Sequence, residues 1–184
     1  MKDALLIIDM QQYIQQRLDQ GVGSYPLQAI DQGLALLDIY RQHQRPIIHI
    51  FHHDSDPAGA LSADKSAALP LDGFRPQPNE KFFIKHHSSA FTDTDLHSHL
   101  VQEEITHLTV IGAVTGFCVN STIRAAADRQ FTVTLIEDAT VSFDLLGTAF
   151  NAEILWATTL ALLAADFAQV IPFTQWRLNH ENYF

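Results

Sequence analysis

HLTVIGAVTGFCVNST, residues 107–122, is the stretch whose reading decides the fold. His107 to Gly112 carry the apolar, β-branched content of a buried strand. Ala113 to Phe117 follow as a turn. From about Cys118 to Gln130 the pattern is helical, with Val119, Ile123, Ala126 and Ala127 making a slim apolar side able to lie close on a sheet. A strand feeding through a short turn into a helix is half of a parallel crossover unit, because parallel neighbours cannot be joined by a hairpin.

The same alternation extends in both directions. Upstream, Ala4 to Ile8 form a continuous apolar run of the kind buried on both faces, and Leu27, Ile30, Leu34 and Leu37 recur at helical spacing before Arg45-Pro46. Pro46 to Phe51 read as a second strand. Residues 52–80 contain Pro57, Gly59, Pro70, Gly73, Pro76 and Pro78 and read as a loop. Structureless stretches beyond roughly 12–15 residues usually cover a site, so a lid is expected here. Phe82 to Lys85 read as a third strand, and Leu96, Leu100 and Ile105 as one face of the next helix, with Thr94 a candidate to cap a turn there. Downstream, Phe131 to Ile136 form a fifth strand ending at Glu137-Asp138-Ala139. A helix over about Thr148 to Asp166 and a short strand at Val170-Ile171 complete the pattern, and the tail from Trp176 to Phe184 stays unassigned. The reading is a three-layer α/β/α fold with a parallel sheet, one domain over residues 1–184. In such sheets ligands sit beyond the carboxyl ends of the strands, where strand order reverses. Asp9 and the Ala113 to Cys118 turn lie at two such ends.

Composition narrows the function classes. Of the 184 residues 47% are hydrophobic and 17% charged, which suits a packed domain and not a disordered chain. A formal charge of -10 repels phosphate backbones and anionic lipid heads, so nucleic acid and membrane are not expected partners. The opening MKDALLIIDMQQ has too short an apolar run for a secretory leader, and no eighteen-residue apolar stretch occurs. A cytoplasmic protein acting on a small molecule is expected. The lone cysteine, Cys118, makes no internal disulfide, so it is either inert packing or chemistry.

At the predicted entry to a helix, unpaired amides and the helix dipole favour a thiolate, so a lowered Cys118 pKa is the expectation. The same amides suit a developing oxyanion. The other reading is a small buried hydrophobe. Asp9 follows five apolar residues, where a carboxylate is either a strand-terminal cap or a partner able to exchange a proton with Cys118.

LLIIDMQ at 5–11, KHHSSAF at 85–91 followed by Thr94 and Leu96, GAVTGFCVNST at 112–122 and VTLIEDAT at 133–140 together resemble the isochorismatase-like cysteine hydrolases. The resemblance implies a six-stranded parallel sheet of order 3-2-1-4-5-6 and a triad of Asp9, Lys85 and Cys118. Lys81 is the rival lysine, but only Lys85 has Ser89, Ala90 and Phe91 at matching offsets. It further implies a non-proline cis peptide at Ala113-Val114 and an oxyanion hole from the amides of Val114 and Cys118. The activity implied is hydrolysis of a small-molecule amide through a thioester. Vinyl-ether hydrolysis of isochorismate is a second possibility, and a non-catalytic thiol sensor or binding module a third.

Candidates for the substrate pocket are His52, Phe91, Phe117, Phe143 and Asp144. Nicotinamidases of the superfamily bind a metal through an Asp-x-His pair and a later His. This chain has His52-His53-Asp54 instead and no histidine between Asp54 and Lys85, so neither metal nor cofactor is expected. His53 and Asp54 read as loop residues, and His97 and His99 as solvated. The D-M-Q-x-D-F start usual in the family is broken by Tyr13 and Ile14. The last helix is apolar on more than one side through Phe150, Ile154, Leu155, Trp156, Leu160, Leu162 and Leu163, which points to a homo-oligomer, dimer or tetramer.

Overall fold

The computed structural model describes residues 2–180. Strand β1 (Lys2–Ile8) leads to helix α1 (Gln12–Asp19), the two-residue strand β2 (Ser24–Tyr25), helix α2 (Ala29–Gln42) and strand β3 (Ile47–His52). A long loop with one short turn of helix at Ser66–Ala68 reaches strand β4 (Lys81–Lys85), then helix α3 (Leu96–Gln102) and strand β5 (Ile105–Ala113). A wide π-type turn at Thr115–Val119 runs straight into helix α4 (Asn120–Asp128). Strand β6 (Thr132–Phe143), helix α5 (Ala152–Asp166), strand β7 (Gln169–Ile171) and helix α6 (Phe173–His180) complete the order.

The six long-range partners form a parallel sheet in the order β4-β3-β1-β5-β6-β7, which is the expected 3-2-1-4-5-6. A seventh strand, β2, adds antiparallel pairing at the far end of β6. Alternate residues of β1 explain the layers. Leu5 and Ile7 point into a core with Leu36, Leu37 and Tyr40 of α2 and with Phe173 and Trp176 of α6. Ala4, Leu6 and Ile8 point the other way, into a core with Leu96 and Leu100 of α3, Ile123 of α4 and Leu160 and Leu163 of α5.

Several boundaries differ from expectation. Ile105 opens β5 and does not belong to the α3 face. The fifth expected strand does not end at Glu137-Asp138-Ala139. Between the pairs Val110↔Leu135 and Gly112↔Thr140 the register shifts, and β6 then continues to Phe143. The bulge is held by its own polar groups: Asp138 accepts from the Phe173 amide at 2.8 Å and the Glu137 carbonyl accepts from the Trp156 indole at 3.0 Å. α5 starts later than expected, at Ala152, because the Asn151 side chain caps it by accepting from the Ile154 amide at 2.9 Å. Of the unassigned tail, Trp176 to His180 belong to α6, which begins at Phe173, and 181–184 lie outside the described residues.

The carboxyl ends of β1 and β5 meet where strand order reverses. There Gly112 adopts φ +131°, and a Cβ at this position would collide with the Ile8 carbonyl oxygen. Only glycine lets the end of β5 approach the end of β1 this closely.

Candidate active site

Asp9 is the first residue beyond β1. It sits at φ +50°, a left-handed conformation uncommon for a non-glycine side chain, and it is largely buried. Lys85 closes β4, two strands away, pairing in register with His52 at the end of β3. Its side chain is wholly buried. Cys118 lies in the π-type turn after β5, following a cis Ala113-Val114 peptide.

These three side chains converge. Lys85 Nζ is 2.8 Å from Asp9 Oδ2 and donates to Cys118 Sγ at 3.2 Å. It stands 3.1 Å from His52 Nδ1 as well. The second carboxylate oxygen, Asp9 Oδ1, is buried without a hydrogen-bond partner. An unmatched buried acceptor is costly unless it serves something else, and here it faces the thiol's neighbourhood.

The electrostatics reverse one expectation. Burial pushes the Cys118 thiol up to about 12, and the Asp9 charge adds to the rise while Lys85 opposes it. The helix amides do not produce a lowered value, because loss of water around the sulfur outweighs them. Asp9 is also raised above its ordinary 3.8, by burial, against the pull of Lys85 and Cys118. The resting thiol therefore keeps its proton, beside the Asp9–Lys85 pair at 2.8 Å.

A cavity of about 330 Å³ opens onto this cluster. Asp9, Cys118, Ala113 and Val114 line it at the strand ends. His52, Asp54, Ala60 and Leu61 from the long loop's side, and Tyr13, Ile14, Ser88 and Phe117, form its walls. Among the pocket candidates, His52 and Phe117 line it. Phe91, Phe143 and Asp144 do not. Phe91 is buried against Phe131 in the α3–α5 core, Phe143 is buried beneath the Arg17 guanidinium on the opposite face, and Asp144 accepts from the Ala152 amide at 2.8 Å at the start of α5.

Asp54 is more than a loop residue, since it lines the cavity and its Oδ1 lies 3.2 Å from His52 Nε2. Gln11, which also lines the cavity, fastens the loop from beneath. Its amide donates to the carbonyls of His52 and Ala68 at 3.0 and 2.8 Å and its oxygen accepts from the His52 amide at 2.9 Å. The signal for Gln11 was its place two residues after Asp9; for Asp54 it was its spacing from a strand-terminal histidine. Ala60, Leu61 and Ser88 carried no signal. His99 packs on Phe83 and is half-buried, whereas His97 is exposed, as expected, with its ring edge-on to Phe131. Among the described residues no group of three or more His, Cys, Asp or Glu side chains is arranged to hold a metal ion. None of the described helices is long and apolar enough to cross a membrane.

A family model for the isochorismatase domain matches residues 3–172. The chain belongs to the isochorismatase family. The crystal structure of a protein assigned as an isochorismatase-family hydrolase from Chromobacterium violaceum superposes with a TM-score of 0.90 at 29% identity, covering 98% of this chain and 94% of the other. The ureidoacrylate amidohydrolase RutB of Caulobacter segnis is 33% identical over 110 residues, 56% of this chain and 46% of its own. Nicotinamidase 3 of Arabidopsis thaliana is 28% identical over 182 residues, 91% of this chain and 83% of its own. Like its relatives, this is an isochorismatase-family hydrolase, built on the family's sheet and helices.

Proposed function

We propose that this chain hydrolyses a small, uncharged amide, with Cys118 as nucleophile, Asp9 as acid and base, and Lys85 as the cation between them. The observation that carries the reading is one ammonium within 2.8 Å of a carboxylate and 3.2 Å of the only thiol, beside a cavity. Amide-hydrolysing relatives support it.

A thiol held near 12 is not a nucleophile at rest, so its proton must leave as the carbon–sulfur bond forms. The Asp9 carboxylate takes that proton while Cys118 attacks the carbonyl. The oxyanion so formed is met by the amides of Val114 and Cys118. The carbon–nitrogen bond then breaks, and Asp9 returns its proton to the leaving amine. A thioester remains. Water, deprotonated by Asp9, attacks it, the carbon–sulfur bond breaks, and the acid departs as the thiol is restored.

The walls favour an uncharged substrate. Among the described residues the lining includes the carboxyls of Asp9 and Asp54 and neither Lys nor Arg, while Lys85 at its edge is buried and already paired. A dianion such as isochorismate finds no cation in that lining to offset its desolvation. Vinyl-ether hydrolysis has one observation on its side, the burial-raised Asp9 carboxyl, which suits a proton donor.

An amide and ester panel comparing the intact protein with Cys118→Ala and Asp9→Asn tests the reading. Turnover is expected to fall to background in the first variant and by about 10²–10⁴ in the second. An acyl adduct on Cys118 in intact mass supports the thioester; full turnover by Cys118→Ala removes it. No turnover of any amide by the intact protein leaves the thiol-sensor reading.

A further inference from the structure

We propose that His52 and Asp54 form a positioning relay that holds Lys85 in its proton arrangement and ties it to the loop over the cavity. Its catalytic consequence rests on the nucleophile reading above; the arrangement of protons at rest does not.

An ammonium has three donors and no acceptor capacity. Around the buried Lys85 Nζ stand three acceptors: Asp9 Oδ2 at 2.8 Å, His52 Nδ1 at 3.1 Å and Cys118 Sγ at 3.2 Å. Each donor has one partner. A ring nitrogen that accepts from an ammonium carries no proton, so a neutral His52 bears its proton on Nε2. That nitrogen lies 3.2 Å from Asp54 Oδ1, which accepts it.

Asp54 is itself clamped. Its Oδ2 accepts from the Leu61 amide at 2.7 Å, and its own amide donates to the Leu61 carbonyl at 3.1 Å. A Cβ on Gly59 would collide with the Asp54 carboxylate, so the turn closes over that group only because residue 59 is glycine. Lys65 Nζ fastens the turn from outside, donating to the carbonyls of Ala58 and Gly59 at 2.8 and 2.7 Å. The Leu61 amide also holds the Asp54 carboxyl below its ordinary range, which keeps it an acceptor.

The chain of contacts thus runs from the loop turn through Asp54 and His52 to Lys85. With the opposite tautomer an N–H of His52 would face a buried ammonium, leaving one lysine donor unmatched and the cation free to turn from the sulfur. Ala60 and Leu61 line the cavity, so a molecule seated there presses on the turn that fixes the tautomer.

The first measurement is nitrogen NMR on isotope-labelled histidine in the intact protein. The expected signature for His52 is an unprotonated Nδ1 and a protonated Nε2; a protonated Nδ1 overturns the proposal. The second is the rate of Cys118 alkylation by iodoacetamide at fixed pH, which needs no identified substrate. Asp54→Ala and His52→Phe are expected to slow it about three- to tenfold as the lysine charge leaves the sulfur, and His52→Asn, which keeps an acceptor near the Nδ1 position, to recover most of the rate. Unchanged alkylation in folded Asp54→Ala and His52→Phe overturns the relay, as does loss in His52→Asn equal to that in His52→Phe. On a turned-over amide, His52→Phe is expected to lower kcat about a hundredfold with KM little changed. Failure of the intact protein on every amide sinks the nucleophile reading alone, because NMR and alkylation still decide the relay.

Discussion

Cys118 keeps its proton because water is excluded around the sulfur, and Asp9 gains affinity for one for the same reason. The pH dependence follows from the two directions. Asp9 must be a carboxylate to accept the thiol proton, so kcat/KM is expected to fall with decreasing pH through an apparent value above 3.8. Thiol ionisation near 12 predicts alkylation of Cys118 still rising between pH 8 and 10, where a free cysteine levels off; a plateau by pH 8 contradicts it. Asp9 and Cys118 stood out in the sequence by their places at strand ends, while Lys85 came only through the resemblance. The sign of the cysteine shift was not legible, because position at a helix entry is written in the sequence and depth beneath a loop is not. Glu80 shows the same blindness. Burial would raise its carboxyl, yet the Arg41 guanidinium at 2.7 Å, the Gln77 amide at 2.9 Å and His49 at 2.8 Å hold it at about 2. Its stabilising contribution is full above 4.5 and is lost as pH falls through about 2. Buried His49, lowered from 6.5, adds loss on the acid side as the unfolded ring protonates. Glu80→Gln is expected to cost about 3–5 kcal/mol in urea unfolding at pH 7, with most of that difference gone near pH 2.

The long loop is held against the sheet by the segment that follows Asp9. Backbone bonds join Gln12 to Leu69 at 2.8 Å and Leu71 to Met10 at 2.9 Å, with a bridge at Gln11–Pro70. The Gln11 side chain supplies three more bonds in a buried setting. Gln11→Ala leaves the buried carbonyls of His52 and Ala68 short of a donor, at about 1–3 kcal/mol each. We expect faster protease cleavage within residues 53–80 and a raised KM, read by limited proteolysis against the intact protein; an unchanged cleavage rate counts against the loop being pinned here. Strands and most helices were legible because β1 carries a continuous apolar run, β3 and β5 are rich in apolar and β-branched residues, and α2 repeats at helical spacing. α1 was not, since only Ile14 of its eight residues is buried and its glutamines mask the period. β2 is two residues long, too short for any pattern. β6 ran past its expected end because a bulge, unlike a turn, keeps strand direction while admitting Glu137 and Asp138. Gly112→Ala tests how tightly β1 and β5 meet, since the added methyl strikes Ile8 backbone and meets a positive φ. Loss of several kcal/mol of stability and of Cys118 alkylation are expected together.

Net charge and helix α5 set the terms for association. Ala152, Thr159, Leu160 and Leu163 of α5 are buried against the sheet, while Ile154, Ala157, Thr158, Ala161, Leu162 and Ala165 form a second stripe facing outward. Phe150 extends it, and Phe150, Ile154 and Leu162 are each about half exposed. An apolar stripe of this length on a free surface is unfavourable in water and marks a contact. We propose that a second copy of the chain covers it. A molecule with formal charge -10 repels itself over most of its surface, and the middle of this stripe carries no charged side chain, Glu153 and Asp166 standing only at the helix ends. Self-association is least opposed where charge is absent and apolar area is greatest. Light scattering at micromolar concentration is expected to give at least twice the chain mass, little changed by salt since burial and not ion pairing holds the contact. Leu162→Glu places a carboxylate within the stripe and is expected to give the monomer mass with the fold intact by circular dichroism. A monomer already present in the unaltered protein would show that the stripe serves something other than self-association.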